Sequence, residues 1–491
     1  MRIIAGIRFL ARACLPAWIV LIGPAIAGDF PVLGKDGLHE VPRFEDHSEA
    51  LAHWAALGIR HGVLMNVDAH DDLRRIPEAK IERLRRLYQD RDIPLLKDAR
   101  SGSKAFLYHI GNFIFAAARL GIIDRVYWVI PFPYFTEPDP EKALRGFLRE
   151  YAFPEEDIRT FHLEGGVFSG RFQGIPLKIC RVGALPEIRD PLILSLDVDF
   201  FPPFARAGNM DPAAAVSMFF RALFQKAYRL EDAFIAYSVN GGYLSPLHRW
   251  VGDLCGEFLE RPERVQAPLP EIFEWKQQAN RLYEKALAKG LYEKTVAGLE
   301  RFPDDAGLQL YAAFACYGLG ETGRAYHYAK AACLQHSGYC QGLADIGQCF
   351  LDQGDVEGAL PFFETAYSLS PGMNYRLKNL ADALEAAGRF REARRYYEIH
   401  EARNGAFPAA FRVGGIHLRM GEETLALQAF QRGVRAVARN PYAEVRCPED
   451  GDAVRRAAGF FQARGRAESA SILRGHPLLA PVFASPEGGK R

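Results

Sequence analysis

Asp68, His70 and Asp72 occupy alternate positions after an apolar run, Gly62-Val63-Leu64-Met65-Asn66-Val67. The run predicts a buried strand. The acids and the imidazole gather at its C-terminal tip, where open α/β sheets hold their ligands. Carboxylate and imidazole donors together suit Mn, Fe or Zn. The plainer reading of this stretch is a solvated acidic turn. A second run, Pro191 to Phe201, also predicts a strand and carries Asp197 and Asp199. Residues two apart on a strand share a side. Two carboxylates inside an apolar run repel and stay poorly solvated unless a cation lies between them. Upstream stands Glu45-Asp46-His47-Ser48, with Ser48 read as the N-cap of a helix over 49–57.

In the order Asp-His-Ser, Asp-Ala-His-x-Asp, Ser-x-Asp-x-Asp, the three stretches resemble the arginase (ureohydrolase) superfamily over residues 40–250. Their flanks look most like a branch that includes peptide arginases. The resemblance implies an arginase-like three-layer α/β fold with a parallel sheet and two divalent metal ions, Mn in that family. His47, Asp68, Asp72 and Asp197 would hold one ion. His70, Asp68, Asp197 and Asp199 would hold the other, with Asp68 and Asp197 bridging. Paired ions of this kind draw a nucleophile from water at neutral pH. The implied reaction converts arginine, in a peptide or protein, to ornithine and urea.

Other residues take roles by the same resemblance. Ser195 is placed to orient Asp197 from behind. The glutamate that anchors the guanidinium in arginases is missing from Ala236 to Tyr243, so an acid elsewhere, Glu45, Asp46 or Asp71, would replace it. Ser238 and Asn240 could hydrogen-bond a substrate without supplying charge. Arg74 either binds a carboxylate or faces solvent. His109, with Asn112 close by, lies on a predicted apolar helix over 104–121 and is either structural or a proton shuttle. His53, His61 and His162 read as structural or surface residues. Two other readings compete. A deacetylase-like hydrolase would need only a single-Zn Asp, His, Asp core, and His47, Asp72 and Asp199 exceed that. A non-catalytic scaffold would leave the α/β part vestigial, and six filled ligand positions speak against decay.

Positioning these residues takes a sheet with helices on both faces. Helices are predicted over 79–88 and 211–228, strands over 126–130 and 234–239, and a hairpin over 167–182 with Gly174 at its turn. At 491 residues the chain is too long for one core. Residues 30–260 form the α/β domain, and a Pro-rich and charged stretch, 261–272, reads as a linker. From 273 to 476 the period changes. Gly320, Gly354, Gly388 and Gly421 recur, each followed five residues later by Ala325, Ala359, Ala393 and Ala426. Aromatic residues Tyr328, Phe362, Tyr396 and Phe430 keep the same step. The period resembles tetratricopeptide repeats, an all-α solenoid, with four clear units and weaker ones at 277–302 and 452–475. Their concave face suits a peptide or protein substrate or partner. The linker predicts repeats that fold by themselves, and 477–491 reads as a frayed tail.

Hydrophobic content of 49% and charged content of 25% are ordinary, and a net charge of +1 carries no nucleic-acid footprint. Residues 1–27 read as a signal peptide: Arg2, Arg8 and Arg12, an apolar core, then Ala25-Ile26-Ala27. Cleavage would make the protein exported, periplasmic or secreted, with no stable membrane span. Without cleavage it would be membrane-anchored or cytoplasmic. Seven cysteines remain after Cys14, an odd number that rules out complete intramolecular pairing. Four, Cys316, Cys333, Cys340 and Cys349, lie in the clear repeat units, where free buried cysteine is a common small core residue, and one disulfide stays open.

Overall fold

The computed structural model describes residues 30–484, apart from 101–105, 240–241, 373, 441–442, 444 and 446. The segment read as a signal peptide, residues 1–27, therefore lies outside the described residues. Eight strands form one sheet: β1 Arg43–Phe44, β2 Gly62–Val67, β3 Ile123–Val129, β4 His162–Glu164, β5 Val167–Phe172, β6 Ile175–Cys180, β7 Leu192–Asp197 and β8 Leu230–Ala236. Their spatial order is β1-β8-β7-β2-β3-β6-β5-β4. The first six in that order run parallel; β6, β5 and β4 form an antiparallel edge.

β2 and β7 are buried along their whole length, as unbroken apolar runs require in the middle of a parallel sheet. Side chains alternate between two cores. Val63, Met65 and Val67 enter one and Leu64 the other; Leu192, Leu194 and Leu196 enter the first and Ile193 the second. Helices Glu49–Leu57, Glu78–Gln89, Phe113–Arg119 and Pro140–Glu150 cover one face. Pro212–Phe224 and Arg249–Glu260 cover the other. The fold is thus a three-layer α/β domain. The helix expected over 104–121 is shorter, Phe113–Arg119. Gly111 and Asn112 interrupt it, with the Asn112 side chain capping the His109 N–H instead. His109 therefore sits in the turn before that helix.

The rest is helical hairpins. Ala306–Gly318 pairs with Thr322–Gln335, Gln341–Asp352 with Val356–Leu369, Asn374–Ala386 with Phe390–Asn404, and Ala409–Arg419 with Glu423–Arg439. Glu271–Glu284 with Ala288–Arg301, and Pro448–Ala463 with Ala467–Gly475, supply the two weaker units. Gly320, Gly354, Gly388 and Gly421 close the turns at φ of +76, +81, +71 and +77°, a region that costs an L side chain energy. The alanines five residues on are fully buried where paired helices meet.

Residues of the expected linker do not hang free. Pro262–Gln266 is a 3-10 turn with Val265 buried, and Phe273 joins a core that runs from Met65 through Trp250 to Leu343 and Tyr397. Sheet and early repeats share that apolar cluster. Past Pro477, Leu479 is fully buried and Arg455 donates to the Val482 carbonyl, so 477–484 is packed rather than frayed. Cys333 and Cys340 form a disulfide. Among the described residues no helix is long and apolar enough to cross a membrane.

Candidate metal centre

Strand register builds the site. Val67 pairs with Leu196, and Asp197 with Ala236, so Asp68, Asp197 and the start of the loop after β8 meet at one sheet end. His47 arrives from the turn between β1 and helix Glu49–Leu57. Its Nδ1 stands 3.2 Å from Asp68, 3.1 Å from Asp72 and 3.1 Å from Asp197. His70 Nδ1 stands 2.9 Å from Asp199 and 3.6 Å from Asp68. Two donor groups result, His47-Asp68-Asp72 and Asp68-His70-Asp199, sharing Asp68. Asp72 reaches inward through a left-handed backbone, φ +51°, and Ser238 adopts the same φ. Such conformations concentrate at functional sites.

The tautomer of His47 decides whether a cation fits. Ser195 Oγ donates to Asn66 Oδ1 at 3.0 Å. Its contact with His47 Nε2 at 2.6 Å must then be accepted from the imidazole N–H. With Nε2 protonated, neutral His47 carries only a lone pair on Nδ1. That nitrogen is buried and faces three carboxylates, so it needs a proton or a cation between it and them. A lone pair among carboxylates is repulsive, and a divalent cation converts the same geometry into a ligand set. The residues therefore fit a metal.

Charge in the metal-free chain agrees. Burial works against a charged His47, but Asp197, Asp68 and Asp72 outweigh it and raise its pKa well above the usual value. Burial, then the Asp68 charge, raises Asp72; burial, then Asp197 and Asp68, raises Asp199. Protons thus sit where cations would. The metal-free form holds more protons than a metal-bound form, so metal affinity rises with pH and falls as pH drops. Calorimetric titration in buffers of different protonation enthalpy, between about pH 6 and 8, is expected to show about one or more protons released per ion. Zero release would contradict the raised carboxylates.

Several sequence assignments change place. Ser195 does not orient Asp197; it accepts from His47 and donates to Asn66, whose amide donates to Asp68 at 3.2 Å. Ser238 is fully buried and donates to Asp197 Oδ2 at 2.5 Å, so it holds a ligand rather than a substrate. Asn240 lies outside the described residues. Ser48 stands at its helix N-terminus, but its hydroxyl donates to Asp46. Glu45 pairs with Arg249, and Asp46 also accepts the Ser48 N–H, which ties both acids into the scaffold. Asp71 is buried; that burial, opposed by Arg74 and His70, pushes its pKa up to about 7. Arg74 is exposed. His109 Nδ1 accepts the Gly111 N–H, one turn ahead of Phe113, whose ring packs on His47 at 4.7 Å.

A cleft of about 850 Å³ opens on the metal side, with His70 and Asp199 on one wall. Arg281 and Lys285, at the end of the first repeat helix, also line it. So do Tyr243, edge-on to His70 at 5.0 Å, and His248. Burial and Arg206 push the His248 pKa down to about 4, so it is neutral in the cleft. Both residues escaped sequence reading because they lie outside the three motifs. Trp128 and Tyr151 also escaped it. The indole N–H donates to the Asp68 carbonyl at 2.9 Å and the phenol to the Ala69 carbonyl at 2.6 Å, pinning the motif. Buried aromatic tips need such partners.

Residues 350–410 match the tetratricopeptide repeat family. The tetratricopeptide units are also similar to solved structures. One is PilF of Pseudomonas aeruginosa, 17% identical, TM-score 0.29, covering 41% of this chain and 90% of that one. Another is MamA from Desulfovibrio magneticus RS-1, 13% identical, TM-score 0.26, covering 34% and 94%. A third is YrrB, a tetratricopeptide protein described with an unusual peptide-binding site, 14% identical, TM-score 0.25, covering 32% and 81%. No curated protein matches the chain.

Proposed function

We propose that the α/β domain is a metal-dependent hydrolase of the ureohydrolase type. It converts arginine in a peptide or protein to ornithine and urea, and the tetratricopeptide repeats dock that substrate or its carrier. The observation that carries the reading is the buried His47 Nδ1 set among Asp68, Asp72 and Asp197, a place that takes either a proton or a cation. Asp68 adds a second, adjoining group with His70 and Asp199, which exceeds what a single-metal deacetylase needs. Divalent ions there, Mn by the motif resemblance, supply an activated water and Lewis acidity.

The chain's own residues do the rest. Ser195 fixes the His47 tautomer, and Ser238 fixes Asp197. Backbone N–H groups of His70 and Asp199 donate to Asp68 and Asp197, holding the second group in place. The cleft is at the upper end of the size range of small-molecule sites, about 300–1,000 Å³, and one wall belongs to a repeat. That suits a substrate longer than one amino acid. Tyr243, edge-on to His70, and His248 line the cleft and would contact a substrate there.

The test incubates Mn-loaded protein with arginine peptides and measures urea. Each modified arginine loses about 42 mass units. Acetyl-lysine peptides lose the same nominal mass on deacetylation and are run beside them. Urea with ornithine supports the reading. No urea from any arginine peptide, with both metals bound, overturns it, and deacetylation alone moves the protein to the deacetylase class.

A further inference from the structure

We propose that Arg249 is a positioning residue through which a disulfide-closed loop of the repeats holds the His47 ligand loop in place. This rests on the reading that His47 and its carboxylates hold a metal. Arg249 opens helix Arg249–Glu260, and its side chain is 5% exposed. It reaches Glu45, two residues before His47, through both carboxylate oxygens at 2.6 and 2.8 Å. The guanidinium also lies over the Tyr237 ring, 3.6 Å from its centroid. Tyr237 precedes Ser238, which holds Asp197. One cation therefore fixes the approaches to two ligand-bearing segments.

The other side of Arg249 is built by the repeats. His336 Nε2 lies 3.4 Å from its Nη2. A Cβ on Gly338 would fall 2.5 Å from its Nη1, so any larger residue there must displace the guanidinium. The 336–340 loop is itself held twice. The Cys333–Cys340 disulfide closes it, and Arg376, from the next unit, donates to the Ser337 carbonyl at 3.3 Å. A bidentate Arg–carboxylate pair with a buried guanidinium fixes geometry well, while its net contribution to stability is small because desolvation opposes it. Its arrangement here, between a stapled repeat loop and a metal-ligand loop, gives that fixed geometry a use. Partners that orient a ligand typically change metal affinity about 10–100-fold when removed.

The test uses the full chain. Gly338→Ala and Arg249→Lys are compared with Gly323→Ala, a repeat position whose added Cβ meets nothing within 4 Å. Each is titrated with Mn²⁺ by calorimetry and with Co²⁺ by its visible absorption, which reports ligand geometry independently of turnover. Gly338→Ala is expected to weaken one of the two ions about tenfold or more and to alter the cobalt band, with an unchanged far-UV spectrum. Gly323→Ala is expected to match the unaltered chain. If Gly338→Ala does not fold, Arg249→Lys is read by the same criteria, because it keeps the charge and loses the bidentate fork. Both ions bound as tightly as in the unaltered chain would overturn the inference alone. An unaltered chain that binds neither ion would overturn the metal reading and this inference with it.

Discussion

Asp68→Ala is expected to abolish binding of both metal ions, whereas Asp72→Ala and Asp199→Ala should each remove one. The two Asp68 oxygens divide their work. Oδ2 faces His47 Nδ1 at 3.2 Å, and Oδ1 faces His70 Nδ1 at 3.6 Å. Of the two imidazoles, Asp72 approaches His47 and Asp199 approaches His70. Losing the shared carboxylate strips both groups of a ligand and leaves Asn66 without its acceptor. The remaining imidazoles and acids then fall back on the protons they hold when metal-free. Elemental analysis after dialysis gives the stoichiometry, and activity should follow it. One Zn that survives Asp199→Ala would instead indicate the single-metal arrangement of the deacetylase class.

The clustering of the candidate ligands was legible because its signal is local. Asp68, His70 and Asp72 follow the end of β2, and Asp197 and Asp199 stand at the end of β7, so the sequence brings both sets to one sheet end, while the left-handed backbone at Asp72 and the 3-10 turn at Asp199 sort them into two groups. The repeats were legible for the same reason: a left-handed glycine must recur wherever a tight turn recurs. What was not legible depends on register between strands distant in sequence. Asn66 lies opposite Ser195 across β2 and β7. That pairing turns Ser195 toward His47, not Asp197, and leaves Ser238 to hold Asp197. His109 was misplaced because its neighbours are apolar at helical spacing, while Asn112 caps backward and starts the helix only at Phe113. The cysteine count pointed away from pairing, since parity says nothing about one seven-residue loop that brings Cys333 to Cys340.

A chain starting at Ile272 is expected to lose the cooperative melting of the full protein, despite the proline-rich stretch that marks a boundary in the sequence. Tyr311, in the first clear repeat, is fully buried. Its hydroxyl bonds the Leu247 carbonyl at 2.9 Å and accepts from Trp250 Nε1 at 3.3 Å, both in the α/β domain. Phe273 and Trp250 belong to the same core as the sheet, and Arg281 grips Asp211 with two bonds of 2.5 and 2.7 Å. Truncation bares this apolar surface, and each large side chain so exposed costs about 1.5–3 kcal/mol. In the full chain, Tyr311→Phe keeps the ring and removes only the hydroxyl. It leaves the Leu247 carbonyl and the Trp250 N–H buried without that partner, a loss of about 1–3 kcal/mol. Denaturant melts followed by circular dichroism measure both effects. A truncated chain that melts as one cooperative unit at the full protein's midpoint would show that the repeats stand alone. A Tyr311→Phe chain as stable as the parent would show that the junction's polar contacts carry no weight. The expected result is instead a single unit, in which the repeats lie against the domain that holds His47 and complete the wall of its cleft.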